Sequence, residues 1–297
     1  MRPLLTGLAT LVLLLVNTLT LIGPLLLIAL AKFVLPGQSA RDTCSRGVMW
    51  VAEFWAENCK RIFALLTPTH WDIRGNAELR SDRSYLVISN HQSWVDIPAL
   101  VQAFNRKTPY FKFFLKQQLI WVPFLGLAFW ALDYPFMKRY SKAFLQKNPH
   151  MQGKDLEITK AACEKFKRLP VTVVNYLEGT RFTPAKQAQQ QSPYRYLLKP
   201  KAGGVAFVLA ALGEQIDAVL DVTLVYPEGK PPGFWALLSG QVGKVIVDIQ
   251  TRSLAAELWQ GDYQNDPVFR QYMQDWVSQL WQEKDARIAQ LRTENAS

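Results

Sequence analysis

The chain has little of the residues that build metal sites and disulfide frameworks. Its 297 residues include three histidines and three cysteines. Cys44, Cys59 and Cys163 are too few and too scattered for a metal knuckle or a disulfide framework. We therefore expect reduced thiols, a reducing compartment for the body of the protein, and no bound metal or other cofactor. The sequence also contains no internal repeat.

Basic residues outnumber acidic ones, but no dense basic run is present. The formal net charge is +10, which suits nucleic acid, an anionic membrane surface or an anionic substrate. The lysines and arginines are spread along the chain, without a basic patch or an aromatic RNA-binding signature. This spread counts against nucleic acid and favours membrane lipids as partners.

Residues 4–31 contain no charged residue, and such a run can cross the roughly 30 Å hydrocarbon core of a bilayer. Asn17 and the Gly23-Pro24 pair interrupt it, so a kinked or re-entrant hairpin competes with a single membrane-spanning helix. A cleaved signal peptide is disfavoured by the length of the run and by the lack of a small-x-small cleavage site. One basic residue precedes the run and several follow it, which favours a body on the cytoplasmic side of a bacterial inner membrane. We expect a membrane anchor over 1–40, a catalytic domain over 41–260 and a C-terminal amphipathic helix over 261–297.

The rest of the sequence alternates strand and helix patterns. Strand patterns cover residues 71–75, 85–88, 110–115, 171–177, 219–226 and 242–251, and helical patterns cover residues 46–66, 98–104 and 155–168. This alternation predicts an α/β fold with a mostly parallel sheet flanked by helices.

Three further segments carry weaker patterns. Residues 119–132 are uncharged and predict a buried or interfacial helix. The Gln-rich residues 185–192 predict a surface loop, with a lid over the site as the alternative. Residues 266–292 predict a helix docked on the body, with contact to a bilayer surface through its tryptophans as the alternative.

A histidine and an aspartate follow the buried strand pattern at 85–88. His91 lies in the turn after this strand, and Asp96 follows five residues later. The carboxyl ends of parallel strands are where α/β sheets keep their active sites. An imidazole accepts a proton near pH 7, and a carboxylate fixes its tautomer. On spacing alone, a surface histidine followed by a helix-capping aspartate is an equally good interpretation.

Three cations stand where apolar runs end, at Lys116, Arg139 and Arg181. If their strands are neighbours, the three converge on the edge of the sheet that carries His91. Two arginine forks and a lysine would then suit a phosphate group. For each residue taken alone, a solvated position at a strand end is the better interpretation.

Four sequence blocks in a fixed order resemble a known family. They are Asn90-His91-Gln92-Ser93-Trp94-Val95-Asp96, the stretch from Lys116 through Pro123-Phe124-Leu125-Gly126 to Arg139, Glu178-Gly179-Thr180-Arg181-Phe182, and Lys199-Pro200-Lys201-Ala202-Gly203-Gly204 with Val225-Tyr226-Pro227. Together they resemble the PlsC-like glycerolipid acyltransferases, which acylate 1-acylglycerol-3-phosphate (lysophosphatidic acid). The first block is similar to the His-x4-Asp motif of that family. Within the family, the chain is most similar to the bacterial YihG-like acyltransferases.

The resemblance implies a glycerolipid acyltransferase-like fold and a role for each matched residue. His91 is expected to be the general base and Asp96 to orient it, with direct attack on acyl-CoA or acyl carrier protein and no acyl-enzyme. Lys116, Arg139, Glu178 and Arg181 are expected to hold the phosphate and glycerol of the acceptor. We further expect the turn at Gly179-Thr180 to offer backbone N–H groups to the thioester oxyanion.

Several alternatives remain open at this point. The fourth block has Tyr226-Pro227 without an apolar-Pro-apolar core, and a Gln-rich segment follows the third block, so the acceptor could be another lysophospholipid or a second lipid in a transacylation. A non-enzymatic basic membrane protein is the other alternative. A metallohydrolase is disfavoured because His91 and Asp96 lack further ligands at a suitable spacing. Trp121, Phe124, Phe129 and Trp130 are candidates for an acyl groove, although core packing is the stronger expectation for each.

Overall fold

The computed structural model describes residues 1–75, 78–137, 148, 163 and 165–295. The strands are β1 (His70–Arg74), β2 (Tyr85–Ser89), β3 (Phe111–Phe113), β4 (Leu115–Lys116), β5 (Phe136–Met137), β6 (Thr172–Tyr176), β7 (Ala218–Val225) and β8 (Lys244–Arg252). The α-helices are α1 (Arg2–Val34), α2 (Gln38–Leu66), α3 (Asp96–Phe104), α4 (Leu125–Ala131), α5 (Pro184–Gln190), α6 (Ala202–Leu212), α7 (Phe234–Leu238), α8 (Glu257–Gln260) and α9 (Pro267–Glu294).

Six strands form one mixed, mostly parallel sheet in the order β1-β8-β7-β2-β6-β3. All neighbouring strands run parallel except β7 and β8, which are antiparallel. The expected α/β fold with a mostly parallel sheet flanked by helices is therefore confirmed. The strands β2, β6 and β7 lie side by side and end at the same edge of the sheet, which we call the carboxyl edge.

The centre of the sheet is buried on both faces, as a parallel strand of β-branched and apolar residues requires. Every residue of β2 is buried. Because side chains alternate along a strand, Leu86 and Ile88 pack on one side with α6 and α9, whereas Tyr85 and Val87 pack on the other side with α2 and α3. Helix α9 is docked through Met273, Val277, Leu280 and Trp281, all of them buried. The expected docked C-terminal helix is thus confirmed.

The apolar N-terminal run forms one continuous helix, α1, and Pro24 lies inside it. Of the two alternatives left open for residues 4–31, the structure therefore has the single helix and not the hairpin. Asn17 does not interrupt the helix, because its side chain donates to the backbone of Trp55 and accepts from Asn58, both on α2. Helix α1 is long and apolar enough to cross a membrane. The proposed division into residues 1–40, 41–260 and 261–297 stays a prediction.

Two segments differ from the expected local structure. Residues 119–132 do not form one helix: a 3-10 turn at Gln117–Trp121 is followed by the short helix α4, and Phe124 between them has a positive φ of 61°. Residues 184–190 form helix α5, not a loop, because Pro184 starts the helix and the Thr183 hydroxyl accepts the N–H of Lys186. Most of the expected helix over 155–168 lies outside the described residues, and its last four residues form the 3-10 turn Lys165–Arg168.

Candidate active site

His91 is carried to the carboxyl edge of the sheet by the turn that follows β2. This turn is fixed by Asn90, whose buried side-chain amide donates to the carbonyl of Leu224 at 2.9 Å and accepts its N–H at 2.8 Å. Leu224 belongs to β7, so the turn is tied to the neighbouring strand by both groups of one amide. The polypeptide after β2 therefore leaves the sheet in a single defined direction.

Asp96 forms the first turn of α3 and is fully buried. Its Oδ2 lies 2.7 Å from Nδ1 of His91 and accepts the backbone N–H groups of Gln92 at 2.7 Å and Ser93 at 2.9 Å. Its Oδ1 accepts the hydroxyl of Tyr226. The five-residue spacing from His91 to Asp96 is what allows the carboxylate to bond both the imidazole and the backbone of the intervening loop.

The His91 ring is held by Asp96 on one side and by an aromatic neighbour. Its side chain retains 18% of its accessible surface, and its ring stacks on Tyr176 of β6 with centroids 4.1 Å apart. Since a carboxylate only accepts, we assign the proton of the neutral ring to Nδ1, which leaves the lone pair on Nε2. Nε2 makes no hydrogen bond to any residue that the structure describes. The expected His91–Asp96 pair is thus formed.

Glu178 is fully buried behind the histidine loop. One carboxylate oxygen accepts the N–H of His91 at 3.0 Å and the other accepts the N–H of Leu198 at 3.0 Å. Burial raises the pKa of Glu178 to about 7, and the nearby charge of Asp96 adds to the increase, whereas the two N–H groups oppose it. Both of its oxygens therefore face backbone groups of the protein.

The turn after Glu178 brings Arg181 to the rim of the site. The Arg181 guanidinium lies 4.5 Å from the ring centroid of Trp94, and the N–H of the next residue, Phe182, donates to the carbonyl of His91 at 2.7 Å. Gly179 has a φ of 67°, a conformation that favours glycine. Its N–H donates to the carbonyl of Tyr176 at 2.9 Å and is therefore already engaged within the protein, so the expected contact of Gly179 with the acceptor stays a prediction.

Lysines flank this turn. Lys186 Nζ donates to the Thr180 hydroxyl at 2.8 Å and to the Arg181 carbonyl at 3.0 Å. Lys201 Nζ lies 3.6 Å from the position that a Cβ on Gly179 would occupy. The turn after Glu178 therefore has two lysines beside it, of which Lys201 belongs to the fourth sequence block and Lys186 was not singled out from the sequence.

The other two expected cations are placed differently. Lys116 ends β4 in a separate two-stranded sheet with β5, and its side chain is exposed. Arg139 lies outside the described residues. Of the three expected cations, the structure thus brings Arg181 to the neighbourhood of His91.

The four aromatic candidates for an acyl groove do not share one environment. Trp121 is 84% exposed, and Phe124 and Trp130 are also exposed, so core packing was the wrong expectation for these three. Phe129 is partly buried and packs on Tyr134, with ring centroids 4.9 Å apart.

Sequence reasoning did not place two tyrosines beside His91 and Asp96. Tyr226 was seen only as a departure within the fourth block, and Tyr176 only as part of a buried strand. Each ends, or directly follows, a strand next to β2 in the sheet. A polar aromatic residue at the end of an otherwise apolar strand was the signal available in the sequence.

Comparison with known proteins identifies related sequences. The model of the acyltransferase family matches residues 70–230. Mouse lysocardiolipin acyltransferase 1 is 28% identical over 73% of this chain and 56% of its own length. Human 1-acyl-sn-glycerol-3-phosphate acyltransferase gamma is 26% identical over 59% of this chain and 44% of its own length. The chain thus spans about half the length of these curated relatives.

A solved structure shares the fold. The 1-acyl-sn-glycerophosphate (LPA) acyltransferase PlsC from Thermotoga maritima superposes with a TM-score of 0.53 at 19% identity, covering 94% of this chain and 98% of that one. The mixed sheet and its flanking helices are therefore a PlsC-like fold. Since the family model also matches more than half of the sequence, from β1 to the residues just after β7, the chain belongs to the acyltransferase family.

Proposed function

We propose that the chain is a membrane-bound 1-acylglycerol-3-phosphate O-acyltransferase. It would transfer a fatty acyl group from acyl-CoA or acyl carrier protein to the free hydroxyl of lysophosphatidic acid, giving phosphatidic acid. One observation carries this proposal: the Nδ1 of His91 is held by a buried Asp96 while Nε2 has no partner among the described residues. We also keep the YihG-like group as the proposed subgroup.

The proposed chemistry is a direct transfer. Nε2 of His91 takes the proton of the acceptor hydroxyl while the hydroxyl oxygen attacks the thioester carbonyl. The carbonyl oxygen takes up the negative charge, the tetrahedral centre collapses, and the C–S bond breaks. The imidazolium then returns its proton to the leaving thiolate, which departs as a thiol. Asp96 stabilises the imidazolium between the two proton transfers and is not itself protonated.

We propose that basic side chains bind the phosphate group of the acceptor. Arg181 offers a planar fork at the rim of the site, which suits a phosphate monoester. Lys116 and Arg139 stay proposed contacts on the strength of the sequence blocks, and Thr180 stays a proposed member of the acceptor-binding turn. We revise the role of Glu178: because both of its oxygens accept backbone N–H groups, we assign it to holding the His91 loop and not to the acceptor.

A second acceptor is favoured by a specific observation. The lysocardiolipin acyltransferase matches a larger share of this chain than the 1-acylglycerol-3-phosphate acyltransferase does, at a similar identity. Both names describe a lysophospholipid with a free hydroxyl on its glycerol. The proposed base chemistry is the same for either acceptor, so the two differ only in what surrounds the phosphate.

We propose that α1 lies in one leaflet and does not cross the bilayer. Near its start Gly7 approaches the ring of Trp235 on α7, and near its end Lys32 pairs with Asp133 after α4. A helix of 33 residues is about 50 Å long, so both ends touch the body at widely separated points. Its opposite face exposes apolar side chains, which include Leu4, Leu8, Val12, Leu15, Leu19, Leu27 and Leu30. This face would enter the cytoplasmic leaflet of a bacterial inner membrane, with the site on the cytoplasmic side.

The decisive experiment measures acyl transfer from oleoyl-CoA to lysophosphatidic acid by the purified wild type and by His91→Ala. We expect turnover to fall by at least about a hundredfold, because general-base catalysis supplies a factor of this size. His70→Ala is the matched control, since His70 is exposed on β1, three strand positions from β2. It should keep wild-type turnover. Wild-type activity in His91→Ala would refute the mechanism.

The same assay separates acceptors and donors. Lysocardiolipin and lysophosphatidylcholine replace lysophosphatidic acid, and oleoyl-acyl carrier protein replaces oleoyl-CoA. We expect lysophosphatidic acid to give the highest kcat/KM. A preference for lysocardiolipin would change the proposed acceptor but not the proposed mechanism. No transfer to any lysolipid would favour a non-enzymatic membrane protein.

The placement of α1 has its own test. Arg2→Cys and Gln38→Cys, at two exposed positions that flank the apolar run, are made separately in a chain whose three native cysteines are replaced by serine. In a single leaflet, a thiol reagent that cannot cross membranes labels both sites from the cytoplasmic side of inverted vesicles. A helix that spans the bilayer would place the two sites on opposite sides.

A further inference from the structure

The hydroxyl of Tyr226 completes the coordination of the Asp96 carboxylate. Tyr226 directly follows β7 and is 2% exposed, and its hydroxyl donates to Oδ1 of Asp96. The other oxygen, Oδ2, already serves His91 and the backbone N–H groups of Gln92 and Ser93. Among the described residues, Tyr226 is the side chain that holds Oδ1.

Building on the function proposed above, we propose that Tyr226 is a positioning residue for the His91–Asp96 pair. Its hydroxyl fixes the plane of the Asp96 carboxylate and shares the negative charge that Asp96 presents to the imidazole. Tyr226, which makes the fourth block depart from an apolar-Pro-apolar pattern, would thus have a function of its own.

The positioning effect follows from geometry. A carboxylate rotates about its Cβ–Cγ bond unless both oxygens are held. Tyr226 anchors Oδ1 from β7, and the loop N–H groups anchor Oδ2 from the start of α3. With the plane fixed, Oδ2 stays 2.7 Å from Nδ1 of His91. Without the hydroxyl, the carboxylate gains rotational freedom and the imidazole loses part of its orientation.

The electrostatic effect acts on the proton that His91 accepts and must later release. Each donor to a carboxylate reduces the charge with which it stabilises a neighbouring imidazolium. Removing the hydroxyl should therefore make His91 hold its proton more tightly, so that a larger fraction of the enzyme lacks a free base at a given pH. Burial raises the pKa of Tyr226 well above its usual range, and the charge of Asp96 adds to the increase. The phenol thus remains a donor throughout the working pH range.

Other ionisable groups face the same pair. Tyr176 stacks on His91 from β6, and Glu178 accepts its N–H from the following turn. Burial raises the pKa of Glu178 to about 7, so Glu178 titrates within the range of the assay. For this reason the test compares pH profiles of variants that retain both residues.

The test is the pH profile of kcat for Tyr226→Phe, measured for acyl transfer to lysophosphatidic acid from about pH 5 to about pH 9. We expect kcat at neutral pH to fall about tenfold, in line with the loss of a hydrogen bond to a charged group. The acid limb of the profile should move to higher pH by about half a unit. The KM values for the acyl donor and for lysophosphatidic acid should stay within about twofold of the wild type. The position of the limb is measured within one preparation and does not depend on the fraction of folded enzyme.

A second variant predicts the opposite shift and keeps the packing. Site-specific 3-fluorotyrosine at position 226 has a more acidic phenol, which donates more strongly, so the acid limb should move to lower pH. Tyr85→Phe is the matched control. Tyr85 is also buried, at the amino end of β2, and its hydroxyl accepts the N–H of Arg80. It should leave the profile in place.

The outcomes are separable. An active wild type that depends on His91, combined with a Tyr226→Phe variant of unchanged kcat and unchanged profile, overturns the positioning role alone. Shifts in the same direction for phenylalanine and 3-fluorotyrosine also overturn it. If instead the wild type transfers no acyl group, or His91→Ala remains active, the proposed function itself fails.

Discussion

Strand β7 carries one buried charge cluster near its middle and leads to another at its carboxyl end, and the two are stabilised differently. Near the middle, Asp221 pairs with Lys284 of α9 and with Arg252 of β8, the latter at 2.9 Å. At the carboxyl end, Asp96 meets the Tyr226 hydroxyl, the imidazole of His91 and backbone N–H groups. The first cluster is held by opposite charges, and the second by neutral donors.

This difference separates a structural cluster from a chemical one. Lys284 is fully buried and donates to Asp221, to the Val222 carbonyl and to the Thr223 hydroxyl, so its three donors are all used. Burial lowers the pKa of Lys284, and the Asp221 charge opposes that shift. A carboxylate surrounded by neutral donors has no fixed cation and can stabilise a positive charge that appears during a reaction. On the proposed function, the carboxyl edge serves proton transfer, whereas the cluster near the middle of β7 contributes to the docking of α9.

The largest effect is expected from Lys284→Met, which leaves Asp221 buried with one partner fewer. Removing one member of a buried ion pair costs about 3–5 kcal/mol of unfolding free energy. Chemical unfolding in detergent, followed by tryptophan fluorescence, measures this loss. The folded fraction should keep its kcat within about twofold, because the ion-pair cluster does not touch His91.

The double variant Lys284→Met with Asp221→Asn is the control for that prediction. It removes the buried charge together with its partner, so most of the lost stability should return. A double variant that is less stable than Lys284→Met would show that the cluster contributes through its shape and not through charge compensation.

A smaller and pH-dependent effect is expected at Glu178. Its pKa rises from 4.5 to about 7 on folding, so between these values the folded protein binds more protons than the unfolded chain, and stability falls as the pH rises. A shift of this size corresponds to roughly 3 kcal/mol. Glu178→Gln carries no charge, so the stability of the wild type relative to this variant should fall by about this amount from about pH 5 to about pH 8.

Urea unfolding of both proteins at the two pH values tests the prediction. Glu257→Gln is the matched control, because Glu257 is exposed in the first turn of α8 and should leave the pH dependence unchanged. Parallel pH profiles for the wild type and Glu178→Gln would mean that Glu178 stays ionised in the folded protein.

Much of the carboxyl edge could be predicted from local sequence. The run that became β2 is nearly all apolar and fully buried, which is typical of a central parallel strand. The His-x4-Asp spacing suits a loop whose backbone N–H groups donate to the aspartate that follows it. The prediction failed where local patterns were weak. Helix α5 has no apolar periodicity and forms through the helix propensity of its alanines and glutamines together with its Thr183 cap.

The role of Tyr226 could not be derived locally either. Its contact with Asp96 spans 130 residues and depends on β7 lying beside β2. The same holds for Glu178, whose two partners come from different loops. Residues that act through long-range contacts carry no periodic signal, so a structure is needed to recognise them.

The smallest effect is expected where two tyrosines of the site differ, one on Asp96 and one on His91. The Tyr226 hydroxyl donates to Asp96, whereas the Tyr176 hydroxyl is buried without a hydrogen-bond partner among the described residues. A buried polar group without a partner destabilises the folded state, so Tyr176→Phe should raise the unfolding free energy by about 1 kcal/mol. The phenylalanine keeps the stacking on His91, and kcat should stay within about twofold. Unfolding curves and turnover of the two Tyr→Phe variants, measured side by side, should therefore separate: Tyr176→Phe gains stability and keeps activity, while Tyr226→Phe loses activity. A loss of more than about tenfold in kcat for Tyr176→Phe would instead mean that its hydroxyl meets the substrate during turnover, because the loss of one hydrogen bond in the transition state has that size.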